Sequence, residues 1–474
     1  MRHDVVPDAV RFVDERTNAA PLLRKGLRYL FPDHWSFLLG EVALYAFIVL
    51  VATGVYLALF FEPSLTDTVY RGSYEPLRGA TMSQAYKSAV DLSFDVKAGL
   101  LMRQTHHWAA DVFIAAIVTH LLRVFFTGAF RRPRELTYLI GLSMLFLGLL
   151  EGYLGYSMVD DLLSGMGLAI GYGVALSIPF VGANLALLIW GAPFPGDASF
   201  EPRMYLAHVL LFPVLLGLLI GLHLALVAAR HHTQFRRSVR QTERRLLGVP
   251  AFPGQAPRSL GLMVAVAAVL FLLGGLVQIN PIWEWGPYNV AQSTNGAQPD
   301  WYLGWLIGGL RLVPGFDVVL GDYTLVANPF WGGVLFPLVL MLGLLAWPSL
   351  ERRVTGDRSE HNVLDRPRDA PFRTAFGAAV LTWVVLVFVA GSADRAYVFF
   401  GISYTAQVWF YRFAVWVIPV LLFFVVRRAC IGLQRAEHVD QVRLQAEHEA
   451  EAEHEAQLER KPDRRGVTAG AGRS

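Results

Sequence analysis

Residues 103–123 read RQTHHWAADVFIAAIVTHLLR, and residues 208–223 read HVLLFPVLLGLLIGLH. Four histidines lie near the ends of these apolar runs: His106 and His120 in the first, His208 and His223 in the second. The pairs are therefore 14 and 15 residues apart. At about 100° and 1.5 Å per residue, either spacing returns to nearly the same face of an α-helix about 21–22 Å further along. The two stretches predict two helices that each present one imidazole at two separate levels.

The composition indicates that these helices cross a membrane. Of the 474 residues 54% are apolar and 17% are charged, and the mean hydropathy is +0.42. A soluble chain is usually about 45–50% apolar and about 25% charged. Eight apolar runs reach the roughly 20 residues that a bilayer core requires. They lie at about 37–60, 106–127, 137–157, 205–229, 260–280, 328–348, 374–392 and 403–426. The predicted fold is an all-α integral membrane protein with eight transmembrane helices, four of them forming a bundle in the N-terminal half.

The apolar segment 161–190 is interrupted by glycine and proline, and it predicts two short helices at one face of the membrane. Arginine is concentrated in every second connection, which indicates the cytoplasmic side. These arginines are Arg131, Arg132 and Arg134; Arg236, Arg237, Arg240, Arg244 and Arg245; Arg352, Arg353, Arg358, Arg366 and Arg368; and Arg427 and Arg428. Both termini are therefore expected in the cytoplasm, and the loops 62–104, 158–204 and 281–327 face outward.

The predicted organisation has five parts. They are a cytoplasmic segment 1–36, a four-helix domain 37–230, a cytoplasmic linker 231–259, a four-helix C-terminal domain 260–428 and a charged cytoplasmic tail 429–474. No cleavable signal is expected in the polar residues 1–34. The tail has no apolar face from about residue 435, so it predicts a solvated helix that frays into a flexible Gly/Ala/Ser end.

The residue counts exclude several kinds of site. One cysteine, Cys430, excludes a disulfide framework and thiolate-ligated iron–sulfur clusters, so metal chemistry must use histidine or carboxylate. The net charge of +3 gives no argument for nucleic acid. Histidines buried in a membrane are costly and tend to be functional, although a single one is as readily a packing residue. We call His106, His120, His208 and His223 the histidine ladder. The side chain of His107 points about 100° away from the helix face that holds His106 and His120, and His107 is interpreted as structural.

The predicted orientation pairs His106 with His208 near the outer face and His120 with His223 near the inner face. Two bis-histidine haems, one at each level, would fit this ladder. Glycines recur at the same pitch in the first and third predicted spans: Gly40 and Gly54, and Gly141 and Gly155. A helix without a Cβ at those levels lets a flat macrocycle approach the backbone.

Two arginines flank the first histidine pair. Arg103 lies three residues before His106, and Arg123 lies three residues after His120. A guanidinium there could bind a haem propionate. The alternative is a positive flank whose side chains extend to the membrane surface.

Several motifs resemble cytochrome b of bc and b6f complexes, over roughly residues 15–428. They are FPDHWSFLLGEVALY at 31–45, THLLRVFFTGAFRRPREL at 119–136 and IPFVGANLALLIWG at 178–191. DDLLSGMGL at 160–168 is similar to the actinobacterial branch. The resemblance implies the cytochrome b subunit of a quinol–cytochrome c reductase, with two haem b groups and a quinol, expected to be menaquinol.

The sequence Pro299-Asp300-Trp301-Tyr302 matches the quinol-oxidation motif Pro-Glu-Trp-Tyr of that family. The resemblance implies that Asp300 accepts a proton from quinol at the outer face. Pro299, Trp301, Tyr302 and Tyr156 would border the same pocket. The chain departs from the family at Met158-Val159-Asp160, where a proline is usual, so we expect a looser end of the third span.

The cytoplasmic quinone site is less clear in the sequence. His231, His232, Asp33 and His34 could supply protons for quinone reduction, and an interfacial polar cluster is an equal alternative. The resemblance also implies partners: a Rieske iron–sulfur subunit, a c-type cytochrome, a second copy of the chain and an oxidase, all in a bacterial cell membrane.

Two other functions remain open on the residues alone. One is the haem b membrane anchor of a dehydrogenase or hydrogenase, which usually has four or five spans and lacks a PDWY loop. The other is a transporter with a histidine proton relay, which commonly has inverted repeats with broken helices that are not evident here.

Overall fold

The computed structural model describes residues 11–12, 14–236, 241–292 and 299–459. Residues 1–10 of the predicted cytoplasmic segment, Arg237 and Arg240 of the linker, and the predicted flexible end from 460 lie outside these ranges. Eight helices in the described residues are long and apolar enough to cross a membrane, which confirms the predicted fold class. In order, these first to eighth spans are Trp35–Ala58, Gly99–Phe126, Glu135–Ser157, Phe200–Arg230, Ala251–Leu276, Trp331–Thr355, Pro371–Ala390 and Tyr404–Glu453.

The helix ends differ from the apolar runs where polar residues are buried inside the protein. The second span begins at Gly99, seven residues before the predicted start, after Ala98 in a left-handed conformation (φ 59°). Gln104 and Thr105 of its first turns are 5% and 0% exposed. Hydropathy alone places such residues outside a span. The last helix runs without a break from Tyr404 to Glu459, so the predicted tail helix continues the eighth span.

The segment 161–190 forms two helices, Leu162–Leu176 and Gly182–Trp190, as predicted. The Asp161 side chain caps the first by accepting a hydrogen bond from the Ser164 backbone N–H at 3.2 Å. Short helices outside the spans are Ala20–Leu27, Gln84–Phe94, Ile282–Trp285, Gly304–Leu312 and Ala393–Phe400. Single 3₁₀ turns are Trp35–Phe37, Glu75–Leu77, Trp301–Leu303 and Pro367–Asp369, and π turns are Ala207–Leu211, Ala251–Gln255 and Trp331–Leu335.

Within the described residues, four pairs of short strands that were not expected from the sequence connect the loops. Three pairs are antiparallel and one is parallel. The antiparallel pairs are Leu30–Phe31 with Val249–Pro250, Asp67–Val69 with Thr81–Ser83, and Val318–Leu320 with Tyr323–Val326; the parallel pair is Gln234–Phe235 with Val363–Leu364. The linker after the fourth span therefore pairs with both the N-terminal segment and the loop after the sixth span. This pairing closes the face at which the fourth span ends.

Small residues bring the first two spans close together. Ala43 and Ala46 of the first span and Ala109 of the second are buried in one apolar cluster with Phe113. A cavity lined by His120 and His223 lies between these two spans and the third and fourth spans.

Candidate functional site

The two histidines predicted for the outer level, His106 and His208, face each other. The ring centroids of His106 and His208 are 6.3 Å apart, with the ring planes at 77°. A metal ion bonded to both rings at the usual metal–imidazole distance of about 2 Å would hold the centroids about 6 Å apart. A Cβ at Gly54 would lie 3.2 Å from His106 Cε1, and a Cβ at Gly155 would lie 2.5 Å from His208 Cε1. Each histidine therefore occupies the space that its opposing glycine leaves free.

A π turn explains the unequal spacing of the two histidine pairs. His208 lies in the π turn Ala207–Leu211, and Pro213 follows two residues after that turn. A π turn inserts one residue into a helix, and such turns are frequent at functional sites. Fifteen residues from His208 to His223 therefore cover the pitch that 14 residues cover from His106 to His120.

The inner histidines share one cavity. His120 and His223 line a cavity of about 550 Å³ together with Gly40, Gly141 and Arg123. A Cβ at Gly40 would lie 3.5 Å from His120 Cε1, and a Cβ at Gly141 would lie 3.7 Å from His223 Cε1. Each of the four histidines thus lies opposite a glycine, with two such pairs at each level of the bundle.

Both flanking arginines are partly buried and have buried donor atoms that are unused in the described residues. Within the described residues, the Nε and Nη2 atoms of Arg103 and Arg123 have no hydrogen-bond acceptor. Arg103 Nη1 donates to the Asn280 carbonyl at 3.1 Å, and the Arg123 guanidinium lies 4.1 Å from the centroid of the Phe37 ring. Buried guanidinium donors that are left unpaired are costly, so each arginine is suited to an anionic ligand.

Asp300 lies at the centre of a buried hydrogen-bonded group. Its Oδ1 is 2.7 Å from His107 Nε2, and its Oδ2 accepts a hydrogen bond from the Tyr302 hydroxyl at 2.8 Å. Burial raises the pKa of Asp300, but the charge and hydrogen bond of His107 and the hydrogen bond from Tyr302 together hold it below its ordinary value. Burial first, and the Asp300 charge second, raise the pKa of Tyr302 well above its usual range.

The comparisons with known proteins point to one family. The model described as "Cytochrome b(N-terminal)/b6/petB" matches residues 111–287. The "Cytochrome bc1 complex cytochrome b subunit" of Mycobacterium leprae is 48% identical over 92% of this chain and 78% of its own length. The chain belongs to the cytochrome b family.

Other matches agree with this assignment. Proteins of the same description from Streptomyces coelicolor and Corynebacterium diphtheriae are 46% and 45% identical, each over 90% of this chain and 78% of the relative. A solved "Hyperthermophilic respiratory Complex III" chain has the same fold at 21% identity, with a TM-score of 0.65 over 87% of this chain and 99% of that chain. Membership of the cytochrome b family implies haem b binding, a role in electron transport of the respiratory chain, and a multi-pass membrane protein.

The remaining residues of the predicted outer site surround Asp300 unevenly. Tyr302 and Tyr156 are buried, and a Cβ at Gly152 would lie 2.5 Å from the Tyr302 hydroxyl, so Tyr302 lies against the third span. Trp301 is 42% exposed and forms the rim, and Pro299 is half-buried beside Asp300. The structure therefore brings the PDWY segment to the second and third spans of the cytochrome b bundle.

Sequence reasoning missed the role of His107. Its direction, about 100° from the ladder, turns it toward Asp300 in the distant loop. The position of His107 inside a predicted membrane span could have indicated such a contact, because an ionisable side chain in a membrane usually pairs with another polar group. Asp111, one turn further along the same span, is also buried and electrostatically coupled to His107 and Asp300.

The end of the third span is held by backbone pairing. Asp160 has a positive φ of 58°, and its carbonyl accepts a hydrogen bond from the Tyr288 N–H at 3.0 Å. The Leu162 N–H donates to the Gly286 carbonyl at 2.9 Å. These bonds restrain the segment that lacks the family's proline. A looser end with altered quinol binding stays a prediction.

The polar residues predicted for the cytoplasmic quinone site do not all lie together. His231 and His232 line the inner cavity beside Tyr29, whose ring stacks on His231 at 5.4 Å. Burial, with Arg123 and Arg134 nearby, lowers the pKa of His232 to about 4. Asp33 instead forms an exposed ion pair with Arg258 at 2.9 Å, outside the residues that line the cavity.

The glycine at the outer level gives a first testable prediction. Gly155→Val is expected to lower the haem content of the purified protein by one haem, because the added side chain would occupy the place of the His208 ring. Gly217→Val is the matched control, since a Cβ at Gly217 of the fourth span meets no atom within 4 Å. A pyridine haemochrome assay measures the number of haems per chain. Equal haem content in both variants would contradict the role of Gly155.

Proposed function

We propose that this chain is the cytochrome b subunit of a quinol–cytochrome c oxidoreductase. It would oxidise a quinol near the outer face, transfer electrons across the membrane, reduce quinone near the cytoplasmic face and thereby translocate protons. The observation that supports this best is the double pairing of histidines, each opposed by a glycine, at two levels of one four-helix bundle.

The geometry supports a set of residues that would hold two haem b groups. The outer haem would lie between His106 and His208, beside Gly54, Gly155 and Arg103; the inner one would lie between His120 and His223, beside Gly40, Gly141 and Arg123. When bound, the haems supply one-electron carriers between the two faces. The arginines would bind the propionates through the donors that the described chain leaves unpaired.

Asp300 would accept a proton at the quinol-oxidation site. Because its pKa lies below the ordinary value, the carboxyl is ionised at neutral pH and ready to receive the proton. His107 and Tyr302 hold its two oxygens in fixed directions. Tyr156 and Trp301 would border the quinol ring, with Pro299 next to Asp300.

Quinone reduction would take place beside the inner cavity. His231 and His232 lie there with Tyr29, whereas Asp33 is engaged with Arg258 at the surface. These histidines are thus better placed than Asp33 to pass protons to quinone. His232, whose pKa is lowered to about 4, would do so as a neutral imidazole that gives up and regains its N–H proton. The quinone would be menaquinone, on the resemblance to the actinobacterial branch.

The remaining proposals concern assembly and boundaries. We expect a Rieske iron–sulfur subunit as the first electron acceptor, a c-type cytochrome subunit, a homodimer, and association with an oxidase. The haem domain would extend over 37–230 and the C-terminal domain over 260–428, with both termini in the cytoplasm of a bacterium. The linker 231–259 would be cytoplasmic, together with the segment 1–36 and the tail 429–474.

One spectrum separates this proposal from its alternatives. A reduced-minus-oxidised spectrum and a haemochrome assay of the purified subunit should give two non-covalent b-type haems per chain. A single haem would favour the membrane anchor of a dehydrogenase or hydrogenase, and a chain without haem would be a transporter. Either result would overturn the proposed function.

A further inference from the structure

The third span carries the same arrangement twice, 14 residues apart, with one difference. Glu151 lies four residues before Gly155, and Thr137 lies four residues before Gly141. Each glycine opposes a histidine of the fourth span, His208 at the outer level and His223 at the inner level. A residue one turn before the glycine lies on the same helix face and beside the same histidine. The outer level has a carboxylate at this position, and the inner level has a hydroxyl.

The Glu151 carboxylate contacts the histidine directly. Its Oε1 is 3.0 Å from His208 Nδ1, and the Glu151 backbone carbonyl is 3.2 Å from the same nitrogen. The Glu151 and His208 side chains are only 16% and 13% exposed. Within the described residues, Glu151 Oε2 is buried and has no hydrogen-bond partner. The carboxylate therefore has one polar side-chain contact, the imidazole.

The other three imidazoles have no carboxylate partner at the same atom in the described residues. His106 Nδ1 is 2.9 Å from the Thr53 hydroxyl. In the described part of the chain, His120 Nδ1 and His223 Nδ1 are buried and have no side-chain hydrogen-bond partner. The Thr137 backbone carbonyl acts on His223 as the Glu151 carbonyl does on His208. Both histidines of the outer pair thus have a side-chain partner, one of them a carboxylate, and neither histidine of the inner pair has one in the described residues.

This asymmetry has a chemical consequence for a metal bound at Nε2. An imidazole that donates its Nδ1–H to a carboxylate is a more basic ligand, and the carboxylate adds negative charge. Both effects stabilise the oxidised state of iron more than the reduced state. In a buried site with little solvent the effect is larger than at a surface.

We propose that Glu151 sets the potential of the outer haem below that of the inner haem by polarising His208. This inference rests on the proposed function, because it requires two haems. Glu151 is a positioning residue that acts through His208 and touches neither haem nor quinol. The resulting difference in potential would favour electron flow from the outer to the inner level.

Optical redox titration of the purified complex tests the proposal without an activity measurement. In Glu151→Gln the acceptor loses its charge, and we expect the oxidised-to-reduced equilibrium of the outer haem to shift about tenfold toward the reduced form. Tenfold corresponds to about 59 mV for a one-electron couple. The inner haem should be unchanged. Glu135→Gln removes a carboxylate from the cytoplasmic end of the same span, next to Arg352, and serves as the matched control.

The inner level allows the reverse experiment. Thr137→Glu introduces a carboxylate at the equivalent position beside His223, and it should lower the potential of the inner haem. Glu151→Thr provides a second neutral variant that copies the hydroxyl contact of His106. If Glu151→Gln does not assemble, these two variants still decide the question.

The outcomes separate this inference from the proposed function. A higher potential of the outer haem in either Glu151 variant, or a lower potential of the inner haem in Thr137→Glu, supports the role of Glu151. Unchanged potentials in variants that retain two haems overturn it and leave the proposed function intact. A haem count other than two in the unmodified protein overturns the proposed function itself.

Discussion

The double variant His106→Leu/His208→Leu is expected to lose one haem and to retain the other. Both residues belong to the outer level, where their rings face each other at 6.3 Å. Leucine fills a similar volume in an apolar span but supplies no nitrogen to a metal. The inner level, with His120 and His223 in their own cavity, is unaffected by this change. The purified protein should therefore contain one haem per chain.

The matched control combines one histidine from each level. His106→Leu/His223→Leu also replaces two ladder histidines, but it should remove both haems because each level loses one ligand. The single variant His223→Leu should remove only the inner haem. Haemochrome assays of the three variants give expected ratios of one, zero and one haem per chain.

The comparison of the two double variants tests the pairing rather than the mere need for histidine. If both retained one haem, the ladder would not be paired across the second and fourth spans. If the single variant retained two haems, His223 would not be a ligand. Full-length chain on a gel shows that each variant was inserted and is stable enough to assay.

The sequence predicted the features that depend on helix pitch. The positions of His106, His120, His208 and His223, and of the opposing glycines, follow from 100° per residue once the segments are identified as helices. The eight spans follow from length and hydropathy. Such features are local, since they need no knowledge of how the loops close over the bundle.

The features that sequence reasoning missed depend on contacts between distant segments. His107 and Asp300 are 193 residues apart and meet at 2.7 Å. Glu151 and His208 are 57 residues apart, and their contact requires the depth at which the third and fourth spans pack. Each strand that pairs between loops has two to four residues, which is too few to show an alternation of apolar and polar residues in the sequence.

The expected helix ends were least accurate where the protein buries polar groups. Gln104 and Thr105 lie inside the second span because neighbouring helices surround them, whereas a hydropathy window treats them as solvent-exposed. The same burial gives Arg103 its unpaired donors. Polar residues at the edge of a predicted span therefore indicate a binding site when other helices cover them.

Asp300→Asn is expected to lower the rate of quinol oxidation by about 10²-fold or more while both haems stay bound. Asparagine keeps the size of the side chain and can hydrogen-bond with His107 and Tyr302, but it cannot take up a proton at neutral pH. General base catalysis by a positioned side chain contributes about 10²–10⁴-fold. Quinol-dependent reduction of an added c-type cytochrome by the purified complex measures the rate.

The conservative variant Asp300→Glu separates the charge from the position. Glutamate is the residue of the family motif, and it keeps a carboxylate at the cost of one added methylene. We expect it to restore most of the rate that Asp300→Asn loses. Haem content and the reduced-minus-oxidised spectrum should match the unmodified protein in both variants.

The rate of quinol oxidation should depend on pH through the ionisation of Asp300. Because the pKa of Asp300 lies below its ordinary value, the group is ionised through the neutral range, and its contribution is lost only as the pH falls through that low pKa. His107→Ala removes the neighbour that lowers the pKa, so burial would then dominate, and the acid limb of the rate profile should move to higher pH. An acid limb that stays in place in His107→Ala, or a loss of haem in Asp300→Asn, would make Asp300 a structural residue. The 2.7 Å contact between Nε2 and Oδ1 is therefore the link between the second span and the chemistry of the outer loop.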